Sequence, residues 1–218
     1  MPLLHLAPSR QRGVTLVSLM VGLIISMIVI LATLMLFQRM VRATTAARSD
    51  AQADAQRSAA FLGASIAVQE AGYRIDAPQA GSHLVVLANA TLSGATLSGT
   101  PVQPGVTGNA VVWAENLIGT PRCSALLAPS APDRGVLRKL GPVACANAAA
   151  FAGLAWTSLP LSDATAAPVT ITWQATHCTP FGITASAGSN KVLLTLSAGN
   201  SNGVILETST CLVNVSAP

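Results

Sequence analysis

The chain has 218 residues, of which 51% are apolar and only 9% charged, with a formal net charge of +4. Soluble domains carry roughly 25% charged residues, and disordered chains are polar and charge-rich, so this composition excludes a disordered tail and is not that of an ordinary cytosolic enzyme. The positive balance does not make a nucleic-acid binder either, because the lysines are only Lys139 and Lys191 and the arginines are scattered.

The apolar excess is largely local. After a short leader carrying Arg10 and Arg12, residues 14–37 run from Val14 to Phe37 without a charge or a proline. As a helix, these 24 residues span about 36 Å, against a hydrocarbon core of about 30 Å. A run in lipid must satisfy its own backbone, which predicts a helix. A cleaved secretory signal has a shorter apolar region followed by a small-residue site, and Gln38-Arg39-Met40 is not such a site. Arg39, Arg42 and Arg48 follow the run, so the flanking charge does not decide its orientation.

Residues 10–23 read RQRGVTLVSLMVGL, a basic leader ending in Gly13 directly before the apolar run. This junction resembles the class III signal of type IV prepilins, in which Gly is followed by an aliphatic or aromatic residue, Thr-Leu, and a hydrophobic stretch containing Glu at the fifth mature position. The resemblance implies a leader over residues 1–13, cleaved after Gly13 on the cytoplasmic side by a prepilin peptidase. It also implies methylation of the new amino group on Val14. One position departs from the pattern: the fifth mature residue is Ser18. In the family, the carboxylate there is thought to attract the amino terminus of a neighbouring subunit. A charge in hydrocarbon costs a few kcal/mol and seeks a partner, and Ser18 offers none. A subunit that starts a filament has no earlier neighbour to neutralise, so Ser18 points to a place at or near the tip. Ser18, Gly22 and Ser26 are spaced by four, with Thr15 and Thr33 on the same side, a small-residue stripe suited to close helix packing.

Residues 38–78 turn polar but keep good helix formers and contain no proline before Pro78. Val41, Thr44, Ala47, Ala51, Ala55, Ser58, Leu62 and Ile66, with Tyr73 beyond them, recur at helical spacing and predict an amphipathic continuation with a narrow apolar face. Asp50, Asp54 and Arg57 fall on what reads as the solvated side. The helix is expected to end at Gly72 or soon after, making one rod of about 60 residues whose second half packs on a head. Gln69-Glu70-Ala71-Gly72-Tyr73-Arg74 is similar to the end of this helix in PilW-type minor pilins. A coiled-coil stalk is the alternative for this stretch, but the pattern is too irregular and Ala-rich to specify one.

From residue 79 the chain becomes rich in Gly, Pro, Ser, Thr and Val, which predicts a β-rich head over residues 79–218. Candidate strands are His83–Ala88, Ala110–Ala114, Val169–Ala175, Val192–Ser197, Gly203–Thr208 and Cys211–Val215. Residues 198–203 read as a hairpin loop. Thr91–Thr100 repeats TLSGA as TLSGT and reads as an exposed loop or irregular edge. The fold class is therefore α+β: a long N-terminal helix packed on an antiparallel sheet. Cys123, Cys145, Cys178 and Cys211 all lie in the head without C-x-x-C spacing, so a zinc site is not expected and two disulfides formed outside the cytoplasm are. Of the three connectivities, Cys123–Cys145 with Cys178–Cys211 is favoured because each closes a local loop.

No Walker loop, G-x-G-x-x-G or H-E-x-x-H is present, and Gly63-Ala64-Ser65-Ile66-Ala67 lacks the last glycine of a nucleophile elbow. His83 and His177 have no evident nucleophile beside them once Cys178 is bridged. Arg134, Arg138 and Lys139 form the one local cationic group, too small for a phosphate-binding surface. No enzyme activity, cofactor, metal, nucleic acid or small-molecule substrate is expected. The resemblance implies a minor pilin of a type IV pilus, in the priming or tip complex. Its partners would be the prepilin peptidase, other minor pilins, the major pilin and the assembly platform in the inner membrane. It would be anchored there with its head in the periplasm, and later in the pilus. A minor pseudopilin of a type II secretion system is the alternative, and a membrane-anchored periplasmic binding module the second.

Overall fold

The computed structural model describes residues 15–129, 137–161, 168–179, 190–199 and 204–217. The chain divides into two units, residues 1–49 and 50–218. One helix, α1, spans Leu16–Val68. Within the first unit its large apolar side chains are exposed, and the helix is long and apolar enough to cross a membrane. The helix stops earlier than the sequence predicts. After Val68, the Glu70 and Ala71 amides bond only three residues back, to Ala67 O and Val68 O. Gly72 then takes φ 73°, and its N–H donates to Ala114 O at 2.8 Å, so the chain leaves the helix to bond the sheet.

Among the described residues of the second unit, nine strands follow: β1 (Leu84–Ser93), β2 (Thr96–Pro101), β3 (Ala110–Glu115), β4 (Arg122–Leu127), β5 (Arg138–Ala144), β6 (Ser158–Pro160), β7 (Thr170–Thr176), β8 (Lys191–Gly199) and β9 (Ile205–Ser216). They form a six-stranded sheet ordered β2-β1-β3-β4-β5-β6 and a three-stranded sheet β7-β8-β9. Every named pairing is antiparallel, so the fold is α+β and pilin-like: a long N-terminal helix followed by antiparallel sheets.

Several sequence expectations change here. Gly203–Thr208 and Cys211–Val215 fall mostly within one strand, β9, which pairs with β8 from Lys191↔Ser216 to Gly199↔Ile205. Most of the predicted hairpin loop, residues 200–203, lies outside the described residues. The TLSGA/TLSGT repeat is a β-hairpin, with Leu92↔Leu97 and Ser93↔Thr96 paired and Gly94 at φ 59° in the turn. Its second copy is β2, the edge of the large sheet. Strands β4, β5 and β6 were not predicted at all.

The large sheet is buried on both faces. Leu84 and Val86 of β1, with Val111 and Trp113 of β3, face one core; Val85, Leu87, Ala110, Val112 and Ala114 face the other. The second core is covered by a 3₁₀ helix, Ala148–Gly153, and by Trp156, whose indole N–H donates to Phe151 O at 3.0 Å. Burial on both sides explains why Ala110–Ala114 of β3 reads as a continuous apolar run rather than an alternating one. The first core takes one face of β8, Val192, Leu194, Leu196 and Ala198, together with the last turns of α1.

The α1 face in that core is not the predicted one. Ala60, Phe61, Ala64, Ala67 and Val68 are buried, whereas Leu62 is 64% and Ile66 59% exposed. At 100° per residue, the two faces are about 180° apart. The alanines on this face are small, and Trp113, fully buried in the same core, supplies the bulk. Arg57, placed by its sequence on the solvated side, is 2% exposed; it bonds Asp54 at 3.2 Å, and its Nε has no partner.

Candidate functional site

The sequence singled out the amino-terminal junction and the first half of α1. Gly13 and Val14, the expected cleavage and methylation positions, lie outside the described residues. Thr15 stands immediately before α1; its Oγ1 accepts from Ser18 N at 3.4 Å, and its carbonyl accepts from Leu19 N at 3.2 Å. It therefore caps the helix as well as standing on the small-residue stripe. Ser26 Oγ donates to Gly22 O at 2.7 Å, and Thr33 Oγ1 donates to Ile30 O at 2.8 Å. These two hydroxyls are thus satisfied by their own helix, which suits an apolar medium offering no water. At Gly22 an added Cβ would meet nothing within 4 Å, and Thr15, Ser18, Gly22 and Ser26 are all exposed. Between Thr15 and Phe37 no side chain is ionisable, so this half of the helix carries no carboxylate for an ammonium group to seek.

The head is braced by two disulfides. Cys123 on β4 is joined to Cys145, just past β5, and Cys178, just past β7, is joined to Cys211 on β9. These are the two local pairings favoured from the sequence. A brace that the sequence did not single out is Asn109. Strand β1 bulges between Ala88 and Thr91, with Asn89 at φ 51°. Asn109 Oδ1 accepts from Ala90 N at 2.7 Å, and its Nδ2 donates to Ala90 O at 2.8 Å and to Ala128 O at 3.0 Å. One side chain thus replaces the bonds that the bulge takes from Ala90. The signal for it was an Asn directly before a strong strand, which reads equally well as an ordinary loop residue.

The titratable groups of the head do not converge. Among the described residues, no three His, Cys, Asp or Glu side chains gather. His83 Nδ1 lies 2.8 Å from Ser82 Oγ and accepts from Gln79 N at 3.3 Å, bonds that close the turn before β1. Arg138 donates to Ser158 Oγ at 3.3 Å across the β5–β6 pair, and Arg134 lies outside the described residues. Glu115, 2% exposed, accepts from Leu117 N at 2.7 Å in the β3–β4 turn.

Comparison with known proteins adds one finding. Residues 8–34 match the family model described as the prokaryotic N-terminal methylation motif. No curated protein and no solved structure matches the chain. The matched segment contains Gly13, Val14, Thr15, Ser18, Gly22 and Ser26.

Proposed function

We propose that this type IV pilin-like chain is a minor pilin, a structural subunit of the priming or tip complex from which a pilus grows. The observation that carries the reading is the methylation motif at residues 8–34 together with a helix that is uncharged as far as Phe37 and a disulfide-braced β head. In this reading the prepilin peptidase removes residues 1–13 and methylates Val14. The helix anchors the subunit in the inner membrane with the head in the periplasm, and the assembly platform then moves it into the filament. Other minor pilins and the major pilin pack against the Thr15, Ser18, Gly22 and Ser26 stripe, where small side chains let helices approach closely.

Ser18 supports the terminal position. An unpaired carboxylate in a membrane helix costs up to about 2.5–3.5 kcal/mol at the helix centre and less toward the end where position 18 lies, and a neighbouring ammonium group recovers that cost. A subunit with Ser18 has no such gain from following another subunit, and it is best placed where nothing precedes it. The same motif is compatible with a pseudopilin of a type II secretion system. Deleting the gene and assaying both outputs tests the choice. Loss of surface pili, with the protein recovered in the sheared pilus fraction, supports the pilus subunit. A secretion defect with normal pili contradicts it. A Ser18→Glu variant tests the tip assignment: incorporation along the shaft is expected, and incorporation no greater than that of the natural chain contradicts it.

A further inference from the structure

The uncharged run of α1 ends at Phe37, and the next charged residues are Arg39, Arg42 and Arg48. Residues 15–49 contain no Asp or Glu, and all of them are exposed. Arg39, Arg42 and Arg48 form no ion pair among the described residues. Arg39 and Arg42 are three residues apart, about 60° around the helix, and share one face. Phe37, Met40 and Val41, all exposed, lie on the opposite face, so apolar surface continues past the first cation. A helix that is basic on one side and apolar on the other, at the end of a membrane-length run, suits the boundary between hydrocarbon and headgroups.

The depths agree with that placement. With Phe37 at the edge of the hydrocarbon, Arg39 stands about 3 Å and Arg42 about 7.5 Å beyond it, at 1.5 Å per residue. The headgroup layer is about 5–7 Å thick on each side. Arginine side chains bend back along a helix toward the level their charge prefers, so both guanidinium groups reach this layer. Arg48 stands about 16 Å beyond Phe37 and on the other face, outside the layer.

We propose that Arg39 and Arg42 together bind the phosphate of an anionic lipid headgroup on the C-terminal side of the membrane span. Each guanidinium presents a fork of N–H donors that matches phosphate oxygens. The same helix of a second copy alongside does not supply the anion, because residues 15–49 carry no carboxylate, whereas a bilayer brings headgroup phosphates to this depth. In the processed subunit, removal of Arg10 and Arg12 leaves the flanking side-chain cations all on this side of the run. The contact therefore fixes the depth of the waiting subunit, and it must break when the helix leaves the bilayer. The inference rests on the reading of residues 14–37 as a membrane anchor.

The test uses the full chain in vesicles of equal parts phosphatidylcholine and phosphatidylglycerol. Lipids still bound after release into mild detergent are counted by native mass spectrometry. Phosphatidylglycerol is expected in excess. Arg39→Gln and Arg42→Gln should each lower that preference about fivefold, and the two together about 30-fold. Arg48→Gln should leave it unchanged, and Arg39→Lys with Arg42→Lys should keep most of it. Excess inorganic phosphate should not displace the lipid. Equal retention of the two lipids, the result expected if a carboxylate of a neighbouring subunit were the partner, would overturn the proposal. So would a preference that survives the double substitution, one lost equally with Arg48→Gln, or displacement by inorganic phosphate. In each of these cases the chain stays with the vesicles; a chain that washes off them altogether would overturn the anchor, and this contact with it.

Discussion

Phe61→Ala and Leu62→Ala remove adjacent large side chains from α1 and should differ sharply in cost. Phe61 is 3% exposed and lies in the core shared by α1, β3 and β8, whereas Leu62 is 64% exposed. Truncating a buried Phe costs about 3–5 kcal/mol, from lost transfer free energy and the cavity left behind. Truncating Leu62 should stay within about 0.5 kcal/mol, as exposed substitutions do. For a unit of this size, the Phe61 loss lowers the melting temperature by about 6–20 °C. Trp113, Trp156 and Trp173 are all buried, so their fluorescence follows unfolding of the detergent-solubilised full chain. The face would be wrongly assigned if Leu62→Ala lowered the urea midpoint as much as Phe61→Ala.

Four further outcomes follow from the head. Asn109→Ala should cost about 2–4 kcal/mol by urea denaturation, because it strands both backbone groups of Ala90 and the carbonyl of Ala128. Gly72→Ala should destabilise by about 1–3 kcal/mol in the same assay, since the residue sits at φ 73° and a Cβ would lie 2.9 Å from Pro78 Cγ. Replacing Cys123 and Cys145 together by Ser opens a loop of sequence separation 22 and should cost about 3 kcal/mol in the chain-entropy model. Thiol labelling of the unreduced natural chain should find none of Cys123, Cys145, Cys178 and Cys211 free.

The elements legible in the sequence were those with one dominant signal. The uncharged run after Gly13 reads as a membrane-length helix because length and composition suffice, and β7 and β8 read as strands because apolar residues alternate onto one buried face, Ile171 and Trp173 in β7 and Val192, Leu194 and Leu196 in β8. The α1 face was misread because Leu62 and Ile66 outweigh alanines on any hydropathy scale. What decided burial was which side of the helix met the core that holds Trp113, a property of the partner surface. The segments containing β4 and β5 looked irregular because Arg122, Gly141 and Pro142 interrupt them, and their place is set by pairing with neighbours distant in sequence. The repeat at 91–100 was read as an edge or loop because two near-identical segments rich in Thr, Ser and Gly carry little apolar pattern, although self-similarity also suits the two arms of a hairpin. At the amino-terminal site the motif was legible in residue identities alone, since its chemistry belongs to processing enzymes that read the local chain.

The central claim is that this is a processed pilin-like subunit, and the mass of its mature amino terminus tests it most directly. The chain purified from its native membrane should begin at N-methylated Val14, and deleting the prepilin peptidase should restore residues 1–13 and abolish the methyl group. A chain that retains its leader in the presence of the peptidase, or that begins anywhere other than Val14, would contradict the account.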